Sequence, residues 1–276
     1  MSVYFLRRKG WSLETIEGIS NQMQNEAAIY HSKETLPKAD TIIRWGCTQS
    51  FPGDAKVINQ AQAIHKVYDK GGFRAVLQKQ GLCPETTNFT AMDKLENISY
   101  PCVVRPKQHC QAEDFYICEN IGQVLKAVTK CGEGFYISHF ITKAKEYRVF
   151  IASGRVVTVM EKLPKVTGQE VWNDVEEYVS FYDWPLSVVK AAVEAHVLSE
   201  LDFSAVDVIV DKDQKPYVLE LNTAPEIQSP YRQKCMAKVF DWMIEKGKEH
   251  IPLPKDNLGN WRKFTHPAIS SAAVLT

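Results

Sequence analysis

Residues 203–222 limit the fold of this chain most strongly, because two runs rich in Val, Ile and Leu flank a short polar turn. This pattern is typical of an antiparallel β-hairpin with one buried face. A turn centred on residues 213–214 would place Asp207 directly opposite Glu220. Asn222, two residues beyond Glu220, would lie on the same face of its strand. The hairpin therefore predicts two carboxylates and an amide at one place.

The facing carboxylates of Asp207 and Glu220 indicate a cation. Directly opposed residues have Cβ atoms roughly 4.5 to 5.5 Å apart, and like charges at that distance destabilise a hairpin unless they are neutralised. Carboxylate and amide oxygens are ligands that Mg²⁺ prefers. We therefore expect Asp207, Glu220 and Asn222 to hold a metal, and the site to be strained without it. The alternative, two acids exposed to solvent, is common for surface hairpins but less suited to acids flanked by apolar residues.

The composition is that of a globular protein and excludes some classes of function. The chain has 276 residues, 45% hydrophobic and 24% charged, which is enough for a full core. Lys+Arg and Asp+Glu both total 33, so no excess of cations favours nucleic acid as a partner. No run approaches the roughly 20 apolar residues of a membrane span, so we expect no membrane partner. The seven cysteines include no C-x-x-C pair, and a reduced, cytoplasmic protein is expected.

The spacing of apolar residues divides the chain into three α/β or α+β segments. Residues 1–82 alternate strands and helices, which favours a small α/β domain with a parallel sheet. The boundary rests on Gly81 and Pro84, which end a helix. Residues 83–145 have the size of a small lid, and residues 146–276 carry the hairpin and a polar, loosely packed tail. The predicted fold class is therefore α/β with α+β segments.

Helix and turn signals predict several local elements within these segments. Ser12 should cap a helix over residues 12–24, where apolar residues recur at helical spacing. Residues 57–80 should form two helices separated at Gly71–Gly72. Ser153–Gly154 should be the turn of a second hairpin.

The hairpin residues carry a resemblance to a known family. Asp207, followed thirteen residues later by Glu220-Leu221-Asn222-Thr223-Ala224-Pro225, resembles the metal-binding end of the ATP-grasp ligases. The order of motifs is most similar to the RimK-like amino-acid ligases, with D-alanine:D-alanine ligase more distant. The resemblance implies a small N-terminal α/β domain and two α+β subdomains that clamp ATP. It also implies two Mg²⁺ ions, replaceable by Mn²⁺, on Asp207, Glu220 and Asn222.

The same resemblance implies which side chains bind the phosphates of ATP. Lys70 resembles the first of the two cationic side chains with which the family binds the phosphates. Taken alone, an ordinary solvated lysine is an equally good interpretation. Val103-Val104-Arg105-Pro106 resembles the family's V-x-K-P strand, with an arginine in place of lysine. The loop at 107–114 lacks the usual glycines, a departure from the family, and Lys107, His109 and Gln111 could donate through their side chains instead. A packing or capping role for His109 is the equal alternative.

The remaining ATP site is also implied by resemblance. One segment resembles the strand that leads into the adenine-binding linker, where backbone groups read the adenine edge: Ser138, His139, Phe140 and Ile141. Glu146 resembles the acid that binds the ribose hydroxyls. Arg148 resembles a catalytic arginine near the reacting phosphate or the acceptor carboxylate, and Lys162 is a candidate third charge. Because Glu146 and Arg148 alternate on a strand and share one face, a purely structural ion pair is the alternative.

The function implied is an ATP-dependent ligase that joins a carboxylate substrate, such as an amino acid or peptide, to an amine acceptor. The carboxylate would be activated as an acyl phosphate, with release of ADP and phosphate. Two alternatives stay open: a phosphotransferase on the same fold, and a nucleotide-binding regulatory protein without turnover. Retention of both acids and the amide disfavours the regulatory protein, because a protein that only binds a nucleotide does not need all the metal ligands. The sequence leaves the two substrates and the oligomeric state undetermined.

Overall fold

A computed structural model describes most of the chain. The described residues are 1–90, 93–107, 114–164, 175–180 and 184–247. His109, one of the predicted ATP contacts, and the predicted C-terminal tail lie outside these ranges.

The described residues form three sheets and six helices. The strands are β1 Val3–Arg7, β2 Ala27–His31, β3 Thr41–Trp45, β4 Lys56–Ile58, β5 Thr86–Thr90, β6 Cys102–Pro106, β7 Tyr116–Cys118, β8 Gly134–His139, β9 Lys145–Ala152, β10 Arg155–Pro164, β11 Val175–Ser180, β12 Phe203–Val210 and β13 Pro216–Asn222. The helices are α1 Leu13–Ser20, α2 Ala61–Tyr68, α3 Lys70–Gln78, α4 Ile121–Cys131, α5 Leu186–Ser199 and α6 Pro230–Lys246. Within these ranges, no helix is long and apolar enough to cross a membrane.

The N-terminal sheet is parallel, as predicted, with strand order β2-β1-β3-β4. β1 and β3 are buried along their whole length, as expected for parallel strands covered on both faces. The predicted first helix is shorter than residues 12–24, and the prediction that Ser12 caps it is wrong. Ser12 has φ 53°, and its side chain makes no capping hydrogen bond.

The central sheet is antiparallel, with strand order β11-β10-β9-β12-β13. Alternate residues of β9 and β12 point to opposite faces. One face packs against α5 in a core that contains Val149 and Val206. On the other face, Phe203 stacks on Trp45 at a ring distance of 5.1 Å and meets Phe240 of α6 edge-on. The C-terminal helix and the N-terminal sheet therefore share a core with the central sheet.

The two helices predicted in residues 57–80 are α2 and α3, and the break lies at Asp69 rather than at the glycines. Asp69 has ψ 82°, outside the helical range, and its carboxylate accepts a hydrogen bond from the Gly72 amide. A side-chain cap thus begins α3 one turn earlier than the glycines suggested. Both helices contribute residues to the core of the central sheet. The predicted domain boundary at residue 82 stays a prediction.

The lid segment forms a second antiparallel sheet in the order β5-β8-β6-β7, with α4 packed on it. Its small core includes Phe89 and Phe135, whose rings stack at 5.6 Å.

In the central sheet, the turn predicted at Ser153–Gly154 has positive φ at both residues, as a type I′ hairpin requires.

The β12–β13 hairpin pairs Asp207 with Glu220, as predicted, but a β-bulge is needed to do so. The turn is centred on Asp213, since Val210 pairs with Pro216. Continued without interruption, that register would place Asp207 opposite Leu219. Leu219 is instead the extra residue of the bulge, which shifts the pairing by one.

His196 on α5 yields a prediction about stability. Burial lowers its pKa to about 3, and its Nδ1 atom lies 2.8 Å from the hydroxyl of Ser204. The unfolded chain takes up a proton that the folded protein does not, so the free energy of unfolding should fall as the pH drops below about 6.5. The slope from this group should approach about 1.4 kcal/mol per pH unit. His196→Gln should flatten the curve from pH 6.5 to 4 in denaturant titrations, whereas His65→Gln, at an exposed site, should not.

Candidate active site

The candidate site lies on one face of the central sheet, where β9, β12 and β13 run side by side. The register pairs Asp207 with Arg148 on one side and with Glu220 on the other. Arg148 donates to both oxygens of Asp207, from Nε at 2.7 Å and from Nη2 at 2.8 Å. This bidentate pair is buried, since Asp207 is 5% exposed and Arg148 15%. Strand pairing therefore fixes a charge pair in the middle of the sheet.

Two lysines, one on β10 and one just before β9, extend this pair into a network. Lys162 lies 3.2 Å from Oδ2 of Asp207 and also donates to Glu146. Lys143 donates to the other oxygen of Glu146 at 2.5 Å. Glu146 is thus buried between two lysines, and Lys162 joins it to Asp207. Glu146 pairs with the two lysines and Arg148 with Asp207, so both residues take part in ion pairs within the protein, and their predicted catalytic and ATP-binding roles stay predictions.

Glu220 has its own cation, and Asn222 joins the two groups. Lys70, the first residue of α3, donates to Oε2 of Glu220 at 2.5 Å. The amide of Asn222 donates to Asp207 at 3.3 Å. Lys70, Glu220 and Asn222 are therefore brought together with Asp207, although Lys70 and Glu220 are 150 residues apart in the chain.

These contacts correct the expectation that the acids need a metal to avoid strain. Burial raises the pKa of Asp207, but the charges of Arg148 and Lys162 outweigh it and hold that pKa below its usual range. Burial and the charge of Asp207 raise the pKa of Glu220, but Lys70 and Arg105 together lower it further, so that it lies below its usual range. Both acids are therefore ionised and neutralised by cations of the protein itself.

The lid sheet contributes cations from the opposite side. Burial lowers the pKa of Arg105, while Tyr136 and Glu220 raise it. The guanidinium of Arg105 also lies over the ring of Phe115 at 5.4 Å. The side chain of Lys107 passes close to Gly71, next to Lys70. Lys70 and Arg105 thus act on Glu220, Lys107 lies beside Gly71, and the role of these cations as a clamp on ATP stays a prediction.

The predicted adenine segment lies where β8 leaves the lid. Ser138 is buried and bonded to Thr86, with hydroxyl oxygens 2.9 Å apart. The backbone amides of His139 and Phe140 donate to the carbonyls of Glu85 and Pro101. Ser138 therefore supports the segment from inside, and the contacts of this segment with adenine, including those of Ile141, stay a prediction.

Two charged residues were missed by the sequence analysis. Lys143 binds Glu146 but belongs to no motif. Arg74 donates to the carbonyl of Leu219 at 3.0 Å and to the hydroxyl of Ser138 at 3.3 Å. Since Leu219 is the bulged residue, Arg74 holds the bulge that brings Glu220 opposite Asp207. Its burial in α3, at a position that an apolar residue would normally fill, could be recognised only from the fold.

A cleft of about 770 Å³ opens beside these residues, between the central sheet and the N-terminal sheet. Its walls include Lys70, Arg148, Glu220 and Asn222, so the candidate site faces it directly. Lys162 and Asp207 lie deeper in the sheet. The cleft has the size of a small-molecule site.

The three sheets, with cations and carboxylates beside a cleft between two of them, have the architecture of an ATP-grasp protein, and comparison with known proteins identifies the family. Residues 74–239 match the model of the RimK-like ATP-grasp domain, and the chain belongs to that family. It is an ATP-dependent ligase of the type that forms a C–N bond. A D-alanine–D-alanine ligase from Methylacidiphilum infernorum (isolate V4) is 26% identical over 206 residues, which cover 68% of this chain and 67% of that protein.

Solved structures show the same fold. The D-alanine–D-alanine ligase from Bacillus anthracis has a TM-score of 0.65 at 16% identity, over 89% of this chain and 95% of that one. The ATP-grasp ligase PsnB, solved with a minimal precursor, Mg and ADP, has a TM-score of 0.64 at 11% identity, over 88% of this chain and 97% of that one. At these identities the likeness supports the fold alone.

The side chains of the candidate site provide oxygen atoms of the kind that bind a divalent metal ion. Asp207, Glu220 and Asn222 offer carboxylate and amide oxygens on one face of a hairpin. In the part of the chain that is described, no three His, Cys, Asp or Glu residues cluster as a metal site. Mg²⁺ usually takes only one or two carboxylates from the protein and completes its shell with water and phosphates. This donor set therefore suits a metal that arrives with a nucleotide.

The ion network predicts unequal costs for removing its two acids. Asp207→Asn leaves Arg148 and Lys162 buried without their carboxylate and should cost about 3 kcal/mol or more of unfolding free energy. Glu220→Gln removes a pair that is more exposed and also relieves repulsion from Asp207, so it should cost about 1 kcal/mol or less. Urea unfolding without nucleotide measures both, with Asp213→Asn in the exposed turn as the control. If both substitutions lowered the free energy of unfolding equally, the ion pairs of Asp207 would contribute no more to stability than the pair of Glu220 with Lys70.

Proposed function

We propose that this protein is a carboxylate–amine ligase that activates the carboxylate of an amino acid or peptide with ATP and transfers the acyl group to an amine. The observation that carries the proposal is the clamp at Glu220. Lys70 from α3 meets it directly, and Arg105 of the lid sheet acts on it electrostatically. A triphosphate between these elements would take over the cations that now neutralise the acid. Side chains from opposite sides would then close on one anionic group.

The proposal assigns a part to each predicted residue except His109, which lies outside the described residues. Lys70, Arg105 and Lys107 would bind the phosphates, and Glu146 with the Ser138–Ile141 segment would bind the nucleoside. Asp207, Glu220 and Asn222 would hold Mg²⁺, which supplies charge neutralisation for phosphoryl transfer when bound. Arg148 borders the cleft and would orient the reacting carboxylate. Lys162 is buried behind Asp207 and would act as a positioning residue.

The chemistry would proceed in two steps. An oxygen of the substrate carboxylate attacks the γ-phosphorus of ATP, and the bond to the β-phosphate oxygen breaks, which gives an acyl phosphate and ADP. The amine nitrogen then attacks the acyl carbon, loses a proton, and displaces inorganic phosphate. Fixed cations around the phosphates lower the barrier because the transferred group carries spread negative charge.

The function is tested by measuring ADP release with MgATP and each of the common amino acids, with and without an added amine. We expect ADP release that depends on a carboxylate substrate, and hydroxylamine should trap the activated acyl group as a hydroxamate. Phosphate retained on the acceptor would instead identify a phosphotransferase. Thermal stabilisation by MgATP without any ADP release would indicate a nucleotide-binding regulator. Glu220→Gln should lower turnover by orders of magnitude.

The clamp makes a second prediction. Arg105→Ala should weaken MgATP binding by about ten- to a hundredfold, since it removes a partly buried cation facing phosphate. Arg105→Lys should recover most of the affinity, because charge rather than the planar fork is what the family position requires. Calorimetric titration with a non-hydrolysable ATP analogue measures both variants. If lysine is as damaging as alanine, the equivalence between Arg105 and the family lysine is wrong.

A further inference from the structure

Arg8 is a fixed cation that the proposed chemistry does not use. It follows β1, at the carboxyl edge of the parallel N-terminal sheet, where open α/β sheets commonly bind ligands. Its Nε atom donates to the carbonyl of Gly46 at 2.9 Å, and its guanidinium carbon lies 4.8 Å from the centre of the Tyr68 ring. Within the described part of the chain, neither contact involves a carboxylate. The guanidinium is therefore held in place without being neutralised.

The residues that hold Arg8 also connect it to the candidate active site. Tyr68 ends α2 two residues before Lys70, the partner of Glu220. Gly46 has φ 66° and packs so tightly on Ala224 that an added Cβ would lie 2.8 Å from the Ala224 Cβ. Ala224 follows Asn222 by two residues. Arg8 is thus clamped between the two segments that deliver the site residues.

Arg8 faces the cleft that the catalytic residues face. Arg8 and Arg148 both line the cavity of about 770 Å³, and in this cavity Arg148 is already paired with Asp207. The exposed rings of Trp11 and Tyr68 also line it, which offers apolar surface beside the charge. On its other side Arg8 borders a second cavity of about 490 Å³ with Lys9 and Lys33. Positive charge therefore extends away from the reaction centre.

We propose that Arg8 is a specificity residue that binds a carboxylate of the substrate other than the one that reacts. With Nε engaged, the two Nη atoms present the end-on fork that matches a carboxylate. The cavity is also lined by Glu14 and Glu226, which repel a doubly charged phosphate more strongly than a singly charged carboxylate. The substrate class is therefore an amino acid or peptide with an additional carboxylate. This inference rests on the proposed ligase function.

The experiment compares acids with their isosteric amides, glutamate with glutamine and aspartate with asparagine, in the wild-type protein and in Arg8→Gln. We expect wild type to prefer at least one acid over its amide. Arg8→Gln should reduce kcat/KM for that acid by about ten- to a hundredfold, mainly through KM, and leave the amide unchanged. Arg8→Lys should be intermediate because it keeps the charge and loses the fork. Lys126→Gln, an exposed charge on α4, is the control.

Binding separates this inference from the proposed function. Calorimetry with MgADP present measures the same acids and amides without turnover, and unchanged stabilisation by MgATP shows that Arg8→Gln is folded. If wild type releases no ADP with any amino acid, the ligase proposal fails, and loss of acid binding in Arg8→Gln still supports the carboxylate site. If wild type does not distinguish acid from amide, or Arg8→Gln weakens both equally, the assignment of Arg8 is wrong.

Discussion

Asp207 is a buried carboxylate on β12, which lies between β9 and β13 in the central sheet. The pair that Asp207 forms with Arg148 is the contact around which the site is organised. Two hydrogen bonds below 2.9 Å lock the guanidinium to both oxygens. An acid buried this deeply would otherwise be protonated, because desolvation disfavours its charge. The adjacent strand β9 supplies Arg148 by register, and Lys162 reaches Asp207 from β10, one strand further, so the charge state of the site depends on correct strand pairing.

The same alternation of residues along β9 and β12 builds both the site and the body of the molecule. Residues facing α5 form one apolar core, and those on the other face divide between the charged site and an aromatic cluster with the N-terminal sheet. Trp45, Phe203 and Phe240 form the aromatic cluster on that face, with their rings in mutual contact. The N-terminal sheet is thereby held beside the charged residues, and the cleft forms where the apolar contact ends.

The cations around the cleft differ in how far they are already neutralised. Lys70 and Arg148 are paired with acids of the central sheet, and ATP or a metal would have to rearrange those pairs. Arg8 is ordered by a carbonyl and a ring, neither of which cancels its charge. A substrate that enters the cleft meets paired charges at the reaction centre and, at the N-terminal wall, an arginine that forms no ion pair with a described residue. That asymmetry favours one orientation of an anionic substrate.

The sequence by itself determined the local elements and the family. Apolar alternation defined the hairpin, and the spacing from Asp207 to Asn222 identified the ATP-grasp motif. The facing of Asp207 and Glu220 was also predicted, although a bulge held by Arg74 was required to produce it. Only the tertiary structure decided which cations neutralise these acids, and the expected strain was wrong for that reason. Arg148 lies 59 residues from Asp207 and Lys70 lies 150 from Glu220. Local patterns carry no information about contacts of that range, because strand order and helix packing set them.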